Sequence, residues 1–198
     1  MKTVKLEDIL NNKDARNDII EAIRTGAVFV YPTDTIYGFG CNALIADSVK
    51  RIRRIKKSDH PFSVIAPSTK WIVENLDVES RKSLDILPGP YTLIFRKREP
   101  FFLRDVSPLP TLGVRIPGHP ITKLLMDIGI PFVSTSANLS GKQPIKKPAE
   151  AKKFKGVDFI IDGGTLENPP SIVIDMSGEE EKVIRGELRY KKDAEGRI

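Results

Sequence analysis

Cysteine and histidine are nearly missing from this chain: one cysteine and two histidines among 198 residues. The lone Cys41 excludes an internal disulfide and any Cys-x-x-Cys metal site, and it points to a reducing, cytoplasmic setting. His60 and His119 are too few for a multi-histidine metal centre. No apolar run approaches the ~20 residues of a membrane-spanning helix. The opening "MKTVKLEDIL" is polar and charged throughout, unlike a secretory signal. The fingerprints G-x-S-x-G, G-x-G-x-x-G and Walker A do not occur, so any nucleotide must be held by other means. Internal repeats and low-complexity tracts are also missing, and no convincing linker divides the chain.

What is present is ordinary soluble composition with a basic surplus. Apolar residues make up 40 % and charged residues 29 %, and the net charge is +6. A chain of this length forms one large domain with a real core. The charge favours anionic partners such as nucleotides, tRNA or phosphorylated metabolites, unless it is merely solvated.

Hydrophobic periodicity predicts helices over 14–26, 47–57 (with Asp47 as cap), 67–76, 79–87, 119–129 and 146–154. It predicts strands over 27–32, 62–66, 91–98, 112–117, 130–138, 157–162, 171–177 and 182–186. The alternation argues for an α/β domain whose open sheet, mainly parallel or mixed, is covered by helices. In such sheets ligands collect where strands run into loops.

Several of those loops share one composition. "VYPTDTIYGFGCNA", 30–43, leaves an apolar strand for threonines around an aspartate, then a tyrosine and glycines. "VSTSANLSGKQP" and "DGGTLENPPS" repeat the mixture of hydroxyls and glycine. Each is a self-satisfied turn or a cradle for phosphate or carboxylate oxygens. "RRIKK", Arg53 to Lys57, is a solvated helix face or a triphosphate clamp. Arg115 and Arg185 sit on or beside apolar strands, where each must pair with an aspartate such as Asp34, Asp162 or Asp175, or with an anionic ligand. Cys41, between Gly40 and Asn42, reads as a small packing residue and not a nucleophile.

Taken in order, "YPTDTIYGFGCNA", "LPGPYTLIF", "LGVRIPGHP", "STSANLSG", "DGGTLENPPSIVID" and "VIRGE" resemble the YrdC-type threonylcarbamoyl-AMP synthase family in its short form, over nearly the whole chain. The resemblance implies a YrdC-like domain over 1–190, a polar tail over 191–198, and an open twisted mixed or parallel sheet flanked by helices around a basic concave cavity. It implies condensation of L-threonine, bicarbonate and ATP to threonylcarbamoyl-AMP plus pyrophosphate, with Mg²⁺ carried by the ATP and no protein-held metal. A partner transferase would then move the threonylcarbamoyl group to tRNA, and direct contact with tRNA or double-stranded RNA is a further expectation. By motif, Thr35, Arg115, Ser134 and Ser171 fall on the threonine side. Thr111, Ser136, Asn138, Pro144 and Arg185 fall on the ATP side, and Tyr37 on a cavity wall.

The family's Lys-x-Arg element is altered in "RRIKKSDHPFSVI". Counting back from Pro61 puts Arg54-Ile55-Lys56 on it with the basic residues exchanged, and adds His60 to the ATP side. Counting forward from the helix puts Lys56 on the family lysine and loses the arginine. Lys56 survives both alignments and is the expected catalytic phosphate ligand. A histidine common on the family's threonine side is Ile65 here. Three other readings fit the same features: a non-catalytic RNA-binding module, a related adenylating or carbamoyl-transferring enzyme acting on a different amine, and a purely structural subunit of a tRNA-modifying complex.

Overall fold

The computed structural model describes residues 1–187. The expected tail at 191–198 and the boundary at 190 lie outside the described residues. The first expected helix is α2, Lys13–Arg24 in chain order, preceded by α1, Leu6–Asn11. The Asn12 carboxamide caps α2 by accepting from the Asp14 and Ala15 amides at 2.9 and 3.0 Å. Ile19 and Ile23 give it a buried stripe. The helix α3, Ala46–Lys56, has Ile45 at its N-cap with no side-chain cap, so Asp47 sits in the first turn and not at the cap. Its last turn holds Arg53, Arg54 and Lys56, where the carbonyl end of the helix favours cations. Lys57 ends it in the left-handed region, φ 53°. The remaining helices are α4, Thr69–Asn75, and α5, Ile121–Ile128. Two expected helices shrink to 3-10 turns, Arg81–Leu84 and Pro148–Lys153. One runs into Pro88, and the other has Pro148 at its start with too few residues before Phe154 to continue.

Among the described residues eleven strands form one sheet. They are β1 (Lys2–Lys5), β2 (Phe29–Tyr31), β3 (Gly38–Gly40), β4 (Ser63–Ile65), β5 (Leu76–Asp77), β6 (Tyr91–Lys97), β7 (Thr111–Arg115), β8 (Phe132–Ser136), β9 (Phe159–Asp162), β10 (Ile172–Asp175) and β11 (Lys182–Arg185). The order is β1-β9-β2-β3-β8-β4-β7-β6-β10-β11, with β5 on β6. The sheet is mixed. The pairs β1–β9, β9–β2, β4–β7 and β6–β10 are parallel, and the rest antiparallel. The short strands β1, β3 and β5 and the helix α1 carry no strong sequence signal. The pairing of β2 with β3 makes "PTDTIY" the loop of a β-hairpin.

Alternation along the strands separates two apolar layers. Val30, Val64, Leu93, Leu112, Val114, Val133, Ile172 and Ile174 face a layer shared with Val49 and Ile52 of α3 and Ile72 of α4. Phe29, Tyr31, Ile65 and Phe132 face the other, shared with Ile19 and Ile23 of α2 and four residues of α5. On that second face Phe29 stacks on Phe159 with centroids 5.2 Å apart and meets Tyr31 at 5.4 Å. The rings fit because β3 offers no side chain there. A Cβ on Gly40 would lie 2.7 Å from the Phe29 ring and 2.9 Å from that of Tyr31.

Gly40→Ala should therefore destabilise the fold by about 1–3 kcal/mol through overpacking. Thermal melting checks this, with about 2–4 °C lost per kcal/mol. Adding Phe29→Leu should recover part of the loss, because the two sites share one contact.

Candidate active site

Register pairing builds the site's floor on the second face of the sheet, beyond the reach of α2 and α5. Ser63 of β4 lies opposite Ser134 of β8 on one side and Gly113 of β7 on the other. On β6 the residue opposite Gly113 is Ile94, and Thr92, two residues along the same face, lies opposite Val173 of β10. Cross-strand partners share a face, so this face carries the Ser134, Ser63 and Thr92 hydroxyls around Gly113, with Ile94 and Val173 beside them. A Cβ at Gly113 would stand 2.5 Å from Ser63 Oγ. A cavity enclosing about 170 Å³ of solvent-accessible space opens over these hydroxyls. Ser63, Thr92, Arg115, Ser134, Ser136, Ser171 and Arg185 border it, together with Thr33 and Ile36 of the hairpin loop and Pro61 and Phe62 ahead of β4.

The hairpin loop forms one wall and is internally fastened. Thr33 Oγ1 lies 2.9 Å from Thr35 Oγ1, meets the Ile36 carbonyl at 2.8 Å and accepts from the Thr35 amide at 3.1 Å. Between them Asp34 reaches out. Its Oδ1 accepts from Arg115 Nη2 at 2.7 Å and its Oδ2 from the Gly118 amide at 2.9 Å, while its carbonyl accepts from Asn168 Nδ2 at 3.0 Å. Tyr37 Oη donates to the Gly164 carbonyl at 2.7 Å and accepts from the Gly163 amide at 3.0 Å. Burial pushes the Tyr37 phenol up to about 12, so it stays a neutral structural hydroxyl. Arg115 Nη2 also reaches Thr35 Oγ1 at 3.2 Å. Its Nε is buried without a partner. Arg115 thus meets an aspartate and retains a free donor.

The other cations are satisfied differently. Lys56 is buried, 5 % exposed, and its ammonium donates to the Ser136 carbonyl at 2.6 Å and to Asn138 Oδ1 at 2.8 Å, with longer contacts to Ser136 Oγ and the Asn138 carbonyl at 3.3 Å. Ser136 Oγ in turn donates to Asn138 Oδ1 at 2.6 Å. Burial lowers the Lys56 ammonium from 10.5 to about 8. Arg185 donates to the Ser171 carbonyl at 3.1 Å and to Ser171 Oγ at 3.0 Å, and Ser171 Oγ lies 2.9 Å from Thr92 Oγ1. Partial burial, and secondarily the nearby Arg115, hold the Arg185 guanidinium below the ordinary arginine value.

Of the residues expected from sequence, Arg115, Ser134, Ser136, Ser171 and Arg185 border this one cavity. Thr35 stands behind Arg115, and Lys56 and Asn138 behind Ser136. Arg54 and His60 lie exposed outside the lining, and Thr111 and Pro144 are half-buried outside it. Arg53, from the same basic run, is engaged by main-chain carbonyls. Ser63, Thr92 and Thr33 escaped sequence reading. Only strand register reveals the first two, because a hydroxyl inside "FSVIA" or "YTLIF" looks ordinary. Among the described residues no three His, Cys, Asp or Glu side chains gather to hold a metal. No helix among them is long and apolar enough to cross a membrane.

A family model named Sua5/YciO/YrdC, described as telomere recombination, matches residues 21–186. YciO of Escherichia coli strain K12 is 35 % identical over 182 residues, covering 85 % of this chain and 87 % of YciO. A threonylcarbamoyl-AMP synthase of Coxiella burnetii (strain RSA 493 / Nine Mile phase I) is 30 % identical over 176 residues, covering 82 % of this chain and 94 % of that protein. The crystal structure of P. abyssi Sua5 complexed with L-threonine matches with a TM-score of 0.77 at 29 % identity, over 93 % of this chain. The chain spans 56 % of that Sua5, little more than half its length.

The two arginines should differ in what they do for stability. Arg115→Leu strands a buried Asp34 and should cost about 3–5 kcal/mol. Arg185→Leu loses contacts to neutral oxygens at an exposed strand and should cost less than about 1 kcal/mol. Chemical denaturation of both variants measures the difference, and equal losses would contradict the pairing described.

Proposed function

The chain belongs to the Sua5/YciO/YrdC family, and from that premise we propose that it is an L-threonylcarbamoyladenylate synthase. It condenses L-threonine, bicarbonate and ATP into threonylcarbamoyl-AMP and pyrophosphate. The observation that carries this reading is the cation set at one cavity. Among the described residues Arg185 and Lys56 donate only to neutral oxygens, and Arg115 keeps an unpartnered buried Nε. Arg185 and Lys56, satisfied in hydrogen bonding but not in charge, suit an anionic ligand, and Arg115, though paired with Asp34, adds an unused donor. Among the described residues the lining holds four serines and three threonines beside them and no carboxylate (Ser63, Ser134, Ser136, Ser171, Thr33, Thr92, Thr135).

The chemistry needs no covalent nucleophile. Threonine's amine attacks the bicarbonate carbon, giving the carbamate and water. A carbamate oxygen then attacks the α-phosphorus and pyrophosphate leaves. Arg115 takes the threonine carboxylate through the donors that Asp34 and Thr35 leave unused while Asp34 fixes its plane, and Thr35 and the Ser134 and Ser171 hydroxyls orient the amino acid. Arg185, with Ser136, takes the adenylate side, and Thr111, Pro144, Arg54 and His60 belong to the outer ATP contacts. Lys56 contributes charge from behind Ser136 and holds that loop in place, so catalysis rests on positioning and charge. Mg²⁺ bound with ATP would supply charge neutralisation for the triphosphate, a role that asks for no carboxylate cluster of this chain. The product passes to a tRNA-modifying transferase in the cytoplasm.

Pyrophosphate release tests the reading: it should require ATP, L-threonine and bicarbonate together. Release without threonine would sink it, and so would none at all. Tight, steeply salt-dependent binding of duplex RNA without turnover would instead favour the RNA-binding module.

A pH profile tests Lys56. Below about pH 8 the amine is charged, and above it the proton is lost. Activity, measured as kcat/KM for ATP, should therefore fall as pH rises through about 8. Stability should move the other way. Because the folded value is depressed from 10.5 to about 8, the cost of burying the charge is relieved across that window. The wild type should gain about 3 kcal/mol relative to Lys56→Met between those pH values.

A further inference from the structure

Arg53 lies one turn before Lys56 on α3 and does not border the cavity. Its guanidinium nevertheless reaches two loops. Nε and Nη2 donate to the Asp105 carbonyl at 3.1 and 2.8 Å, and Nη2 to the Val106 carbonyl at 2.8 Å. Nη1 donates to the His60 carbonyl at 2.8 Å and, at 3.4 Å, to that of Ser58. The guanidinium also lies over the Phe62 ring, 4.4 Å from its centroid. Phe62 closes the triangle, its amide donating to the Val106 carbonyl at 2.9 Å.

These fastenings hold an otherwise irregular segment. α3 stops at Lys57 in the left-handed region, and β4 begins only at Ser63. Between them, Pro61 and Phe62 form a wall of the cavity that continues into Ser63, the hydroxyl above Gly113. We propose that Arg53 is a positioning residue that fixes the Pro61–Ser63 wall against the loop at 105–106, shaping the cavity without touching its contents. Only a planar fork can satisfy carbonyls on two loops while stacking on a ring. A lysine keeps the charge but concentrates its donors on one atom. The contacts of Arg53 and Lys56 divide α3's work: Lys56 holds the wall after β8, and Arg53 holds the wall before β4.

The proposal rests on the synthase reading for its kinetic test, and an equilibrium measurement separates the two. The wall carries no reacting group, so it binds ground and transition states alike, and loosening it should raise KM and leave kcat. In Arg53→Lys, KM for ATP should rise about tenfold with kcat within about twofold of wild type and little change in melting temperature. An unchanged KM in a variant that melts like wild type overturns the proposal, as does a loss confined to kcat. ATP binding by calorimetry needs no turnover. If the wild type binds ATP but releases no pyrophosphate, the synthase reading fails. Weaker ATP binding by Arg53→Lys still upholds the wall's role, and equal binding overturns it. A wild type that binds no ATP overturns both.

Discussion

Arg115 is a cation on a central strand, 5 % exposed, and Asp34 makes that placement tolerable by crossing from the β2–β3 hairpin. Removing both charges from water costs several kcal/mol per ion, and the pair recovers that only with good geometry and additional hydrogen bonds. Asp34 supplies them, because its second oxygen takes the Gly118 amide. One carboxylate thus joins the hairpin loop, the end of β7 and the segment after it. Its own carbonyl, held by Asn168, adds the connection between β9 and β10. With Tyr37 bonded to Gly163 and Gly164, the hairpin loop becomes the hub on which both sides of the cavity are registered.

The other site cations follow a contrasting rule. Lys56 and Arg53 both meet main-chain carbonyls, joined for Lys56 by the Ser136 hydroxyl and the Asn138 carboxamide. A carbonyl answers the hydrogen-bonding need of a buried cation but cancels none of its charge. A carboxylate in the same place would cancel the field as well. The β8 loop is therefore held by a cation whose charge its hydrogen-bond partners leave uncancelled. The same cause depresses Lys56: burial without a counter-charge draws its ammonium toward neutrality.

The sequence carries the alternation of strands and helices well, because long apolar stripes such as Ile19–Ile23 and Leu124–Ile128 impose one period. It carries β3 poorly. Gly38 and Gly40 disfavour a strand locally, and they are there because the Phe29 and Tyr31 rings occupy the space that side chains would need. That reason is tertiary and leaves no local trace. The loop hydroxyls are visible as a composition, but their two uses are not separable by eye. Thr33 and Thr35 partly satisfy each other, whereas Ser171 points its hydroxyl at Arg185 and Thr92. Arg53, Arg54 and Lys56 are adjacent in sequence yet face a loop, solvent and the β8 turn, a division that helical geometry permits and that only packing decides.

The two faces of the sheet explain why the cavity forms where it does. On the first face every central strand contributes a valine, leucine, isoleucine or phenylalanine, and helices seal it. On the second, α2 and α5 cover the end that holds Phe29, Tyr31 and Phe132. Beyond them the strands present mostly serine, threonine and glycine, with Ile94 and Val173 among them, which together offer too little apolar surface to hold a helix. A helix laid there would bury Ser63 and Ser134 hydroxyls against hydrocarbon at a cost of about 1–3 kcal/mol each. Gly113 leaves room where a larger residue would fill the floor. The same small polar residues that prevent packing provide hydrogen-bonding groups to whatever enters, so the cavity and its selectivity arise from one choice of side chains.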